Sequence, residues 1–203
     1  MEAGIIKAFE DSISVKQRFV KENASLIAKA SRVIAEAFND GKKLLIFGNG
    51  GSACDASHIA AEFVNRFKRE RPGLPAIALN TDMAVLTSIA NDYDFGEVFA
   101  RQVKTLAEPG DVLVAISTSG ASKNVLKALD VARRKGLRTI AFTGLKGEKF
   151  ASKTDYGFIV PSDETPRVQE THITLGHVIC QMVEEILFEG PRKTQGGRSS
   201  GSA

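Results

Sequence analysis

Three histidines occur in the 203 residues, His58, His172 and His177, and each has a carboxylate or amide neighbour in sequence. His58 and Glu62 stand four apart, a spacing that puts both side chains on one face of a helix. Such a pair can hold a metal, move a proton or form an ordinary exposed contact, and spacing alone leaves these open. Gln169, Glu170, His172 and His177 make a second group. At about 100° per residue Glu170 and His177 are nearly eclipsed, whereas Gln169 and His177 differ by about 80°. Periodicity does not choose among them. His177 also sits amid Ile173, Leu175, Val178 and Ile179, so a core histidine is the plainer alternative.

Two loops carry a different chemistry. In Ser117-Thr118-Ser119-Gly120-Ala121-Ser122, four hydroxyls lie between an apolar run and a helical stretch. A helix N-cap explains one of them; a phosphate, bound by hydroxyls and by the free N–H groups of the helix start, explains four. Gly48-Asn49-Gly50-Gly51-Ser52 also leaves an apolar run and enters a helix, with glycines that permit close backbone approach. It is not a nucleotide loop of the Walker type, because no Gly-Lys-Ser/Thr follows, and Ala53 stands where GxGxxG needs its third glycine. Alone, it reads as a tight turn or a ligand loop.

These loops need a frame to hold them. Five short apolar runs read as buried strands, at residues 42–47, 76–79, 112–116, 139–142 and 157–160. Residues 57–67, 98–106, 122–135 and 167–188 read as helices between or after them, and residues 1–40 carry helical periodicity. Strands alternating with helices predict an α/β fold, a parallel sheet covered on both faces. Ligands of such sheets sit beyond the carboxyl ends of the strands, where both loops fall.

Composition sets the outer bounds. With 43% apolar and 25% charged residues the chain is globular, and no apolar run approaches the roughly 18 residues that span a bilayer. The N-terminus has no signal-peptide layout, so a cytoplasmic location is expected. Arg192, Lys193 and Arg198 lie in the last 13 residues; without them the charges balance, and no nucleic-acid partner is indicated. Residues 191–203 are Gly/Ser-rich and expected to be disordered, leaving residues 1–190 as one domain. The two cysteines, Cys54 and Cys180, form no CxxC pair and are expected to be free thiols.

In order and spacing, GNGGSxCDAxHxxxE, IAND, ISTSGxSxNV and RVQExHxxxxH, spread over residues 1–188, resemble the sugar isomerase (SIS) domain family, most closely its phosphoheptose isomerases. The resemblance implies a three-layer, flavodoxin-like fold with a five-stranded parallel sheet, N-terminal helices 1–40 for oligomerisation, and a homotetramer with active sites between subunits. It implies zinc, one per subunit, on His58, Glu62, Gln169 and His177, and catalysis by Glu62 and His177. It places Asn49, Gly50, Gly51, Ser52, Glu62 and Gln169 on the sugar, Asn91 and Asp92 on hydroxyls at its far end, and Ser117, Thr118, Ser119 and Ser122 on its phosphate. The implied reaction is aldose–ketose isomerisation of a seven-carbon sugar phosphate, supplying heptose for lipopolysaccharide or other surface glycans. The rival reading is a non-catalytic SIS protein that binds a replication initiator protein; such relatives lack the catalytic Glu or the second His, and both are present here. A five- or six-carbon sugar phosphate is the other alternative.

Overall fold

Each expected strand forms, and all are parallel. In the computed structural model, which describes residues 1–188, β1 (Leu44–Gly48), β2 (Ala76–Ala78), β3 (Val112–Ile116), β4 (Arg138–Gly144) and β5 (Tyr156–Val160) make one sheet. The strand order is β2-β1-β3-β4-β5. β1 and β3 are buried along their whole length, which explains why their sequences are continuous apolar runs without alternation. The chain leaves β1 for β2 on one side and returns to β3 on the other, so the β1/β3 crevice is the topological switch point.

Helices cover both faces. One layer holds α1 (Glu2–Asn39), α2 (Gly51–Val64) and α7 (Thr165–Phe188); the other holds α3 (Met83–Asp92), α4 (Val98–Leu106) and α5 (Lys123–Arg134), with the short α6 (Glu148–Ala151) beside them. Two apolar cores result. Ile46, Phe63, Phe142, Phe158 and Ile179 pack on the first side, and Leu45, Phe47, Phe99, Leu113 and Leu129 on the second.

The N-terminal 40 residues form a single helix where several were expected. Val15 and Phe19 are buried between the two periodic stretches, and no Gly or Pro interrupts them. Two helices escape the sequence reading. α3 is announced only by Asp82, whose carboxylate caps it by accepting from the Val85 N–H at 3.0 Å. α6 is a single turn. Cys54 is exposed and Cys180 buried, both as free thiols. Among the described residues no helix is long and apolar enough to cross a membrane. The Gly/Ser-rich stretch 191–203 lies outside the described residues.

Candidate active site at the switch point

The two loops predicted to bind ligand meet at the switch point. The Asn49 side chain donates to Asn124 Oδ1 at 3.0 Å, and Asn124 donates back to Asn49 Oδ1 at 3.0 Å. This reciprocal pair, with Asn124 only 3% exposed, joins the glycine loop after β1 to the first turn of α5 after β3. Gly50 sits at φ +57°, ψ −124°, a left-handed conformation that an L side chain rarely adopts, and the turn into α2 requires it.

In the hydroxyl loop Ser117 is buried, Thr118 half-buried and Ser119 exposed. Ser122 occupies the N-cap position of α5, yet its side chain caps no helical N–H; its Oγ lies 3.2 Å from Ser117 Oγ. The capping explanation therefore does not use up the hydroxyls. A cavity of about 110 Å³ opens beside them, lined by Thr118, Ser119, Leu145, Lys146, Asp163, Thr165 and Val168. Thr118, Ser119 and Thr165 offer hydroxyls there, and Lys146 lies 3.9 Å from the Asp163 carboxylate on the same wall.

His58, Glu62 and His177 converge from two helices. Paired contacts advance together along α2 and α7: Gln169 against Gly51, Gly176 against Ile59, and His177 against His58. The two helices therefore run parallel. At their contact Gly176 leaves no room for a side chain, since a Cβ there would meet Ile59 Cγ1 at 2.7 Å. This approach brings His58 Nε2 within 2.9 Å of His177 Nε2, and the i,i+4 spacing within α2 puts it 3.2 Å from Glu62 Oε1. Ligand atoms of His58, Glu62 and His177 all lie within 4.8 Å of one another. His58 is exposed, and Glu62 and His177 are half-buried, so the cluster is open to a ligand.

The other expected residues are arranged differently. Gln169 lies two turns before His177, about 12 Å along the helix axis, and its amide rests against Gly51. It thus stands at the glycine loop and not beside the imidazoles. Asn91 and Asp92 are exposed at the end of α3 and hydrogen-bonded to each other at 2.9 Å. No described contact joins them to the histidine cluster. His172, two residues from Glu170, faces inward: it is fully buried against Phe142, and burial lowers its pKa to about 4. It is a neutral core residue.

Several supporting residues take roles that the sequence did not assign them. Asn80, after β2, donates to the Ala53 carbonyl at 2.9 Å and to Ser57 Oγ at 2.8 Å, anchoring the first turns of α2. Asp55 lies one turn before His58; burial raises its carboxyl pKa, and His58 works against that rise. Phe67 stacks on His177 with ring centroids 5.5 Å apart and 25° between planes. Asn80 had a signal in its place after a strand, and Asp55 and Asn124 in theirs within the motifs; Phe67 offered none.

A parallel five-stranded sheet with a glycine loop and a hydroxyl loop at its switch point, and a histidine–glutamate cluster between α2 and α7, is the frame of this chain, and a family profile for the SIS domain matches residues 8–144. The chain belongs to the SIS domain family. It is 66% identical over 191 residues to a phosphoheptose isomerase of Thermodesulfovibrio yellowstonii, covering 94% of this chain and 95% of that one. A phosphoheptose isomerase of Aquifex aeolicus is 55% identical, covering 90% of this chain and 96% of its own. Among solved structures, a phosphoheptose isomerase from Neisseria gonorrhoeae superimposes with a TM-score of 0.84 at 39% identity, covering 91% of this chain and 98% of that one. Within the SIS domain family, the chain falls among the phosphoheptose isomerases.

Proposed function

We propose that the protein interconverts sedoheptulose 7-phosphate and D-glycero-D-manno-heptose 7-phosphate through a cis-enediol. The observation that carries this reading is the convergence of Glu62 and His177, from two parallel helices, within reach of one small ligand. Moving a carbonyl between adjacent carbons requires a base at one carbon and a proton carrier between the oxygens. Glu62 takes the proton from C1 of the ketose and returns one to C2, and His177 passes the hydroxyl proton between O2 and O1.

Ser117, Thr118, Ser119 and Ser122, with the start of α5, hold the phosphate. Asn49, Gly50, Gly51, Ser52 and Gln169 line the open-chain sugar, whose orientation contributes to rate by removing non-reactive poses. Asn91 and Asp92 bind hydroxyls at the far end. α3 starts where β2 ends, and ten helical residues carry Asn91 and Asp92 about 13 Å from that edge. A site completed by a neighbouring subunit of a homotetramer accounts for that placement. Ile5, Ile6, Phe9 and Ile13 leave an exposed apolar stripe on α1 that such an assembly would cover.

Two imidazole nitrogens and a carboxylate oxygen, converging within 4.8 Å, suit zinc. His58, Glu62 and His177 would hold one ion per subunit, and Gln169 would join them only by swinging its amide from Gly51. Bound there, zinc would supply a positive charge to polarise substrate oxygens. Glu62 would act as base with its carboxylate free of the ion. The product would feed surface-glycan synthesis in the cytoplasm.

The test is turnover of sedoheptulose 7-phosphate by the purified protein, with and without zinc, beside Glu62→Gln. Conversion that disappears in the variant supports the reading. Failure of the folded wild type in every arm contradicts it and favours the non-catalytic binding alternative.

A further inference from the structure

The segment after α2 contains Arg71, an arginine that the reaction does not use and that is almost wholly buried, its side chain 1% exposed. Its partner is Glu184 of α7, 2% exposed, which accepts from Arg71 Nε at 2.8 Å. We infer that Arg71 and Glu184 form a positioning unit for the acid–base pair, Arg71 fixing the backbone at Glu62 and Glu184 fixing, through Phe67, the ring of His177. The inference rests on the assignment of Glu62 and His177 to the reaction.

The geometry of the arginine carries the first half. Arg71 Nη2 donates to the Glu62 carbonyl at 2.8 Å, and Nη1 donates to the Phe63 carbonyl at 2.8 Å and the Pro72 carbonyl at 3.0 Å. α2 ends at Val64, so the Glu62 and Phe63 carbonyls have no successor N–H within the helix. A planar, always charged fork satisfies both and faces the negative end of the helix dipole. The turn that bears the Glu62 carboxylate is thereby held on its backbone side.

Glu184 carries the second half. It lies seven residues after His177, two turns on and only about 20° around the helix, so both project from one side of α7. Its Oε1 accepts from the Phe67 N–H at 2.9 Å and its Oε2 from the Lys68 N–H at 3.0 Å. Phe67 then stacks on His177. Burial pushes the Glu184 carboxyl up, but the Lys68 and Phe67 amides and Arg71 together hold it below its ordinary value. The carboxylate stays charged, and all its partners belong to the α2 end or the segment after it. Stabilising the fold alone would be served as well by apolar side chains; what the ion pair adds is a fixed relation between Glu62 and His177.

The test uses the full-length protein with Phe67→Leu, Arg71→Lys and Glu184→Gln, read per folded molecule. Histidine labelled with carbon-13 at Cε1 gives three ring signals, with buried His172 as internal control. Phe67→Leu and Glu184→Gln should move the His177 signals and leave His172 in place. All three variants should lower kcat about ten- to a hundredfold with KM within about twofold of wild type. Lysine cannot rescue Arg71, because one ammonium does not reach both carbonyls and Glu184. Unmoved His177 signals, unchanged kcat, or a KM that rises as kcat falls would overturn the inference. Should the two charge variants fail to fold, Phe67→Leu, at a half-buried site, decides alone. An inactive wild type would sink the isomerase reading, and the His177 signals would still decide the positioning.

Discussion

The hydroxyl loop at the strand ends and the histidine–glutamate cluster between α2 and α7 are built in opposite ways. Ser117, Thr118, Ser119 and Ser122 are neighbours in sequence, set by one strand end and one helix start. His58 and His177 are 119 residues apart and meet only because α2 and α7 run parallel in close contact. Binding that needs several weak donors can be assembled locally and loses little when one donor goes. Proton transfer needs two groups at a fixed separation, and that separation depends on everything between two helices. The loop should therefore govern KM, and the cluster kcat.

The largest expected effect is at the cluster. Glu62→Gln should reduce kcat by about a hundred- to ten-thousandfold, the usual range for removing a general base, with KM nearly unchanged. Steady-state kinetics checks this, and a KM effect alone would erase the contrast between the two regions. Next comes pH. Burial depresses the folded pKa of His172 to about 4 from an ordinary 6.5, so the unfolded chain binds a proton that the folded chain does not. Stability from this residue is intact above about pH 6.5 and falls as pH drops towards 4, by about 3 kcal/mol in all. Urea melts from pH 7 to 4 should show that slope, and His172→Leu should flatten it.

Gly176→Ala tests the helix contact itself. The added methyl meets Ile59, so the variant should lose about 1–3 kcal/mol and should lower kcat more than it raises KM. Equal effects on both constants would mean the helices relax without disturbing the cluster. The smallest effect belongs to the loop. Ser119→Ala should raise KM roughly five- to tenfold, in line with about 1 kcal/mol for one hydrogen bond, and leave kcat within about twofold.

The same contrast explains what the sequence discloses. The strands were legible because parallel strands buried on both faces are continuous apolar runs, and the loops because their glycines and hydroxyls are contiguous. The pair His58 and Glu62 was visible as an i,i+4 spacing, yet its partner on α7 was not, since helical periodicity left Glu170, Gln169 and His177 equally eligible. Resemblance, not geometry, selected His177. The structure puts it in the cluster while placing Gln169 at the glycine loop and His172 in the core. The stacking of Phe67 on His177 and the pairing of Arg71 with Glu184 are contacts of long sequence separation, which no local pattern encodes. α3 has a single local signal, the Asp82 cap, which does not by itself mark a helix.

The central claim is that Glu62 moves a carbon-bound proton through an enediol. Running the isomerisation of sedoheptulose 7-phosphate in deuterium oxide and reading the product by NMR tests it directly. The account predicts deuterium at C2 of the heptose phosphate in at least a fraction of turnovers, and neither turnover nor exchange with Glu62→Gln. Product with no deuterium at C2, or undiminished exchange in the variant, would contradict it.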